Sequence, residues 1–198
     1  MNTKLKVILG STRDGRVGLK VANWVIEQLT EIPNAEAELL DLKELNLPFL
    51  TDSVHPMMRG ASYPDSLVQA WSNKISEADA FLILTPEYNH SFPGVLKNAI
   101  DLLYSEWSGK PVGFVGYSGV SSSAVRAVSQ LIPVVMNLGM IPVPPSTQIG
   151  NLMKQAENER LDLDEFAQHF HKTANAVVGI AQKLKTSQAP TKLKQGVR

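Results

Sequence analysis

From Leu5 to about Lys185 the sequence alternates between two hydrophobic periods, and this alternation narrows the possible folds more than any other feature. Leu5-Lys6-Val7-Ile8-Leu9 is a short β-rich run stopped by Gly10, as expected of a strand buried on both faces. Val17 to Leu29 follows with Val21, Trp24, Val25 and Leu29 at helical spacing, and Pro33 ends it. Glu36 to Leu42, Ala78 to Leu84, Val112 to Val115 and Met140 to Val143 read as four further strands. Helices are predicted from about Pro64 to Ser76, Val95 to Trp107, Ser122 to Leu138 and Asp164 to Lys185, with Asp162 or Asp164 capping the last. Five β segments separated by helix-length crossovers imply a doubly wound α/β fold: a five-stranded parallel sheet with helices on both faces. A loop from Lys43 to Tyr63, with Pro48, Pro56 and Gly60, is long enough to be a lid or an interface element.

At 198 residues the chain suits one such domain, placed at 1–185, and its 43% hydrophobic content supplies a core without covalent staples. Lys+Arg and Asp+Glu balance at 19 each, so no global field favours nucleic acid or a membrane surface. Lys183, Lys185, Lys192, Lys194 and Arg198 are unaccompanied by any acid, which makes 186–198 read as a basic, flexible tail. With no cysteine there are no disulfides, thiol nucleophiles or thiolate-held metals, so redox activity requires a bound cofactor. The N-terminus lacks the apolar core of a signal peptide and no run is long enough to span a bilayer; a cytoplasmic protein is expected.

Open parallel sheets bind ligands beyond the carboxyl ends of their strands. The first such loop, Gly10 to Gly18, opens a helix whose free amides and dipole attract an anion. Ser11 and Thr12 add hydroxyls, and Arg13 and Arg16 add guanidinium forks, a set that suits a phosphate monoester. The lysine of a P-loop is missing, and glycines 10, 15 and 18 do not make the dinucleotide fingerprint. In the second loop, Thr85 to Gly94, Pro86 and Pro93-Gly94 bracket free amides, the Tyr88 ring and the Asn89 amide, which suits a flat heteroaromatic ring.

Four pieces resemble one family: Gly-Ser-Thr-Arg at 10–13, Pro-Glu-Tyr-Asn at 86–89, Pro-Gly-Val-Leu-Lys-Asn-Ala-Ile-Asp at 93–101 and Gly-Tyr-Ser-Gly at 116–119. Across residues 4 to 182 the chain is similar to the NAD(P)H-dependent FMN reductases of flavodoxin-like fold, which include quinone, azo-dye and chromate reductases. That resemblance implies FMN as cofactor, NADPH or NADH as hydride donor, and a quinone or similar small molecule as acceptor. It implies that Ser11, Arg13, Arg16, Val17 and Gly18 hold the phosphate. Pro86, Glu87, Tyr88 and Asn89 would contact the ring and ribityl chain, and Tyr117, Ser118, Gly119 and Val120 would close on the ring's other edge. Where many members are glycine-rich in that third loop, this chain has Ser121-Ser122-Ser123. A homodimer or homotetramer is implied as well, with the 43–63 loop near the subunit boundary. Lys97, Asn98 and Asp101 are expected to position their helix and that boundary, and Met57, Met58 and Trp71 to pack an interface.

On this reading the hydride passes to flavin N5 and on to the acceptor, no side chain acts as acid, base or nucleophile, and ping-pong kinetics are expected. A flavodoxin-type electron carrier is the alternative, though carriers have strongly acidic surfaces and this chain is neutral. A flavin-free module that kept the phosphate loop is a third. Gly116 to Val120 looks like a hydrolase elbow but has Val120 where glycine is needed, and an order of Ser118, Asp162 and His169 exists only on paper. His169 and His171 point to different sides of a helix and His55 stands alone, so no metal site is expected. Lone histidines are more often surface or hydrogen-bonded residues than ligands, and contact with a substrate is the alternative for His90, beside the ring loop.

Overall fold

The computed structural model describes residues 2–155, 157, 158 and 160–188. The elements run β1 (Thr3–Leu9), α1 (Gly18–Leu29), β2 (Ala35–Asp41), α2 (Leu42–Leu45), α3 (Ser66–Ser76), β3 (Ala80–Pro86), α4 (Gly94–Asp101), β4 (Pro111–Tyr117), α5 (Val125–Asn137), β5 (Ile141–Pro142), β6 (Thr147–Ile149) and α6 (Asp164–Gln188). All pairings in the sheet are parallel, in the order β2-β1-β3-β4-β5. The order reverses between β1 and β3, which locates the ligand-binding crevice of such a sheet at the loops that follow those two strands.

Strand parity sorts the core into two layers. Leu5, Val7 and Leu9 of β1, with Leu82 and Leu84 of β3 and Val115 and Tyr117 of β4, pack on α1 and α6 through Val21, Val25, Phe170, Ala174 and Val177. Ile8, Phe81, Ile83, Val112 and Phe114 face α3, α4 and α5. Trp71 lies in that second layer at 1% exposure, its ring edge-on to Trp107 at 5.9 Å and its indole N–H donated to Ala99 O at 2.8 Å. It belongs to the core of the subunit, and the expectation that it packs an interface is corrected; Met57 and Met58 are exposed.

Several element boundaries differ from the sequence reading. The helix predicted over 95–107 ends at Asp101, and a 3₁₀ turn at Ser105–Trp107 returns so that the Trp107 indole donates to Ile100 O at 3.2 Å. The α5 helix begins at Val125 because Ser123 and Ala124 have φ of 50° and 61°. The fifth strand is two pieces, β5 and β6, both paired with β4, and the intervening Val143 to Ser146 contains Pro144 and Pro145, which have no N–H to give to a ladder. The long loop is not structureless: α2 opens it and a 3₁₀ turn covers Pro56–Met58. Asn98 of α4 ties this loop down, accepting from Leu50 N at 3.0 Å and donating to Pro48 O at 2.9 Å, while Lys97 pairs with Asp101. At the far end α6 continues to Gln188, and residues 189–198 of the predicted tail lie outside the described residues.

Candidate functional site

Ser11, Arg13, Arg16, Val17, Gly18, Pro86, Glu87, Tyr88, Asn89, Tyr117, Ser118, Gly119 and Val120, drawn from three loops, line one cleft of about 630 Å³ at the carboxyl ends of β1, β3 and β4. Small-molecule pockets run to roughly 300–1,000 Å³. The parallel registers Leu9↔Leu84 and Pro86↔Tyr117 bring the loops side by side.

The first loop is bolted to the sheet by Gly10 N donating to Leu84 O at 2.9 Å. At its far end α1 starts with no side-chain cap, which leaves first-turn N–H groups available to a ligand. Arg13 is exposed, its guanidinium carbon 5.9 Å from the centre of the Tyr88 ring. Arg16 differs from the expectation of a free fork: its Nη2 is ion-paired with Asp41, and the two side chains are only 8% and 10% exposed. Its Nε–H is buried without a partner. Asp14, on the outer side of the loop, pairs with Lys43 at 2.6 Å, and the hydrogen bond and charge of Lys43 hold its carboxyl below the ordinary value.

The second loop is a tight reversal. Tyr88 and Ser91 exchange backbone hydrogen bonds (2.8 and 3.0 Å), with φ of 49° at Asn89 and 68° at His90. Two consecutive positive φ values are what a two-residue type I′ turn requires, normally with glycine. The α5 helix holds this turn at both ends. Arg126 Nε donates to Glu87 Oε1 at 2.7 Å; one turn later Gln130 Nε2 donates to His90 O at 2.8 Å, and the Gln130 carbonyl accepts from Ser91 Oγ at 2.7 Å. Burial pushes the Glu87 carboxyl up, but Arg126's hydrogen bond and charge outweigh it and the carboxyl lies below its ordinary value. Its second oxygen, Oε2, is buried without a partner. Across the cleft the Tyr88 hydroxyl meets Ser11 Oγ at 2.7 Å.

In the third loop Ser118 Oγ donates to Val120 O (2.5 Å) and accepts from Ser123 N (3.0 Å), while the Ser118 backbone N–H donates to Ile149 O. That hydroxyl is occupied in shaping the loop, and His169 is turned to Ser146 O at 3.1 Å, so Ser118, Asp162 and His169 form no hydrolytic constellation. Tyr117 lines the cleft from the end of β4. By strand parity its side chain turns to the α1 face, where the phenol covers Gly18: a Cβ there would lie 2.2 Å from the hydroxyl oxygen. The hydroxyl is buried and unpartnered.

Sequence reasoning missed Gly15, Ser122, Arg126, Leu152 and Met153, which also line the cleft, as does His90. Leu152 and Met153 arrive through β6 and donate their amides to Ser118 O (3.1 Å) and Gly119 O (3.2 Å). Arg126 carried one available signal: it is the only charge on α5.

A family model described as NADPH-dependent FMN reductase matches residues 3–154. An NAD(P)H-dependent FMN reductase of Schizosaccharomyces pombe is 34% identical over 143 residues, 72% of each chain. A quinone reductase of Pseudomonas putida is 34% identical over 117 residues, 57% of this chain and 58% of its own. Among solved structures, FerB, a flavoenzyme NAD(P)H:(acceptor) oxidoreductase from Paracoccus denitrificans, superposes with a TM-score of 0.72 at 26% identity, over 91% of this chain and 98% of that one.

Proposed function

Because the chain belongs to the family of NADPH-dependent FMN reductases, we propose that its three-loop cleft holds FMN, with the phosphate at the start of α1 and the isoalloxazine between the second and third loops. The protein is an FMN-dependent NAD(P)H oxidoreductase; the electron-carrier alternative is not favoured. The residues fit the cofactor on a test of their own: buried polar atoms with no partner, Arg16 Nε and Tyr117 OH, lie beside an uncapped helix start. A buried donor without an acceptor is costly, and an anion with several oxygens relieves it. This observation carries the reading.

Bound there, FMN supplies the redox chemistry, taking up hydride from NAD(P)H and releasing two electrons to an acceptor. This chain's residues bind and orient. Ser11, Arg13, Arg16 and the amides of Val17 and Gly18 anchor the anionic end. Pro86 to Asn89, in a turn held by Arg126 and Gln130, and Ser118 to Val120, held by Ser123, Leu152 and Met153, form two rigid backbone edges for the ring. Rigid donors positioned before charge develops are the protein's main lever on such a reaction.

The acceptor is read as a quinone or a related small molecule, in keeping with the name of the Pseudomonas putida relative. Residues 1–185 are read as one flavin-binding domain in the cytoplasm; no helix among the described residues is long and apolar enough to cross a membrane. A homodimer or homotetramer is supported by exposed Phe49, Leu50, Met57, Met58 and Leu67 on and beside the long loop, and sedimentation of the purified protein checks it. The functional experiment follows NADPH and NADH consumption with a quinone, with and without added FMN, in wild type and Arg13→Ala. FMN-dependent turnover is expected, with FMN binding in the variant weaker by about 1.5–3 kcal/mol, the range for a hydrogen bond to a charged group. A flavin-bound protein inert to both nucleotides would restore the carrier reading, and an unchanged FMN affinity would remove Arg13 from the phosphate site.

A further inference from the structure

Resting on the assignment of the FMN phosphate to the first loop, we propose that the Tyr117 hydroxyl is a phosphate ligand and that Asp41 is the positioning residue that turns the Arg16 Nε–H toward the same oxygens. The resemblance put Tyr117 on the ring side of the cleft and gave Asp41 no role.

Tyr117 is 2% exposed, and its ring passes over Gly18, the first residue of α1, a helix of 12 residues. Its oxygen therefore stands where the uncapped amides of α1 begin. Ser11, whose hydroxyl shares a hydrogen bond with the Tyr88 hydroxyl at 2.7 Å, lies near enough to favour the ionised phenol. Burial pushes the Tyr117 phenol up, so the group stays protonated and is a donor at any physiological pH.

Arg16 is the second donor. Asp41 ends β2, opposite Leu9 in the parallel register, so the carboxylate sits beside the strand from which the first loop departs. Asp41 accepts from Lys43 N at 3.0 Å, which fixes its carboxylate, and it binds Arg16 Nη2. With Nη2 of the guanidinium held by Asp41, Nε is left buried with no acceptor. In water these two groups would be solvated; here, within one helix start, each lacks an acceptor. A phosphate monoester presents three anionic oxygens, enough for a phenol, an Nε–H and the helix amides together. Riboflavin, with the same ring and no phosphate, satisfies none of them.

The test compares FMN with riboflavin by fluorescence titration of the full chain stripped of flavin. In wild type FMN binds far more tightly than riboflavin. Tyr117→Phe, which keeps the ring, lowers the ratio of FMN to riboflavin affinity about tenfold, with riboflavin binding unchanged. The thermal midpoint of this stripped variant is no lower than that of wild type, because a buried unpartnered hydroxyl has been removed. Asp41→Asn lowers the ratio in wild type and leaves it unchanged in an Arg16→Ala background, a non-additivity that general loosening of the fold does not produce. An unchanged ratio in Tyr117→Phe, as expected if solvent satisfies the phenol, overturns the proposal. So does equal weakening of both flavins, which marks a ring or packing role. Should wild type fail to distinguish FMN from riboflavin, the phosphate assignment itself falls; should Arg13→Ala lower the ratio while Tyr117→Phe does not, only the present proposal falls.

Discussion

Gly18 is the position where one added methyl group has the most predictable consequence. Its Cβ would lie 2.2 Å from the Tyr117 hydroxyl, 2.9 Å from Cζ and 3.2 Å from Leu9 Cδ1, whereas ordinary contact begins near 3.4 Å. In Gly18→Ala the phenol must therefore retreat by about 1.2 Å. It is 2% exposed among packed side chains, so there is little room for the movement. Overpacking of this kind costs about 1–3 kcal/mol, and the better helix propensity of alanine returns at most about 1 kcal/mol. We expect a net loss of about 1–2 kcal/mol, a fall in Tm of roughly 2–8 °C for a chain of this size. In a Tyr117→Phe background the atom at 2.2 Å is gone and the contacts at 2.9 and 3.2 Å remain, so the loss should shrink by about half, a coupling of about 1 kcal/mol. Urea unfolding of the four proteins in the cycle measures it. Equal losses in both backgrounds, or none in either, would refute the placement of Tyr117 over the helix start.

At His90, φ is 68° and the turn needs that value, so His90→Gly should leave stability within about 0.5 kcal/mol of wild type while His90→Val loses about 1–2 kcal/mol; indistinguishable denaturant midpoints for the two variants would contradict the turn assignment. Burial pulls the Lys110 ammonium down to about 8 from an ordinary 10.5, against the attraction of Asp79 and Glu106. The folded chain then holds fewer protons than the unfolded one between those values. Stability from this group should grow as pH rises from 8 toward 10 and be absent below 8, so the unfolding free energy of wild type should rise relative to that of Lys110→Met over that window; parallel profiles would argue against it.

Those elements whose determinants are local were legible before any coordinates. The runs Val7-Ile8-Leu9 and Phe81-Leu82-Ile83-Leu84 are buried strands flanked by glycine or proline, and the loops after them form the cleft. What depends on distant partners was not. Arg16 looks like a free cation until the register places Asp41, 25 residues beyond Arg16 along the chain, beside Leu9. The positive φ values at Asn89 and His90 carry no glycine signal; Arg126 and Gln130, about 40 residues on, hold them. Tyr117 shares the face of Val115, so parity packs its ring on α1, a placement that reading the loop as a unit does not show. Leu152 and Met153 follow a three-residue strand, too short to show a period.

The interrupted fifth strand also bears on how the sheet meets other molecules. In β5 the amides of Ile141 and its neighbour Val143 turn inward, to Lys110 O and Val112 O. The residue between them, whose N–H would point outward, is Pro142. This stretch of the margin therefore offers a foreign strand no hydrogen to grasp. Leu, Ile and Val runs as dense as those of β1 and β3 invite stacking whenever a flank lies open, and the imino ring at Pro142 blunts that hazard without adding a single charge.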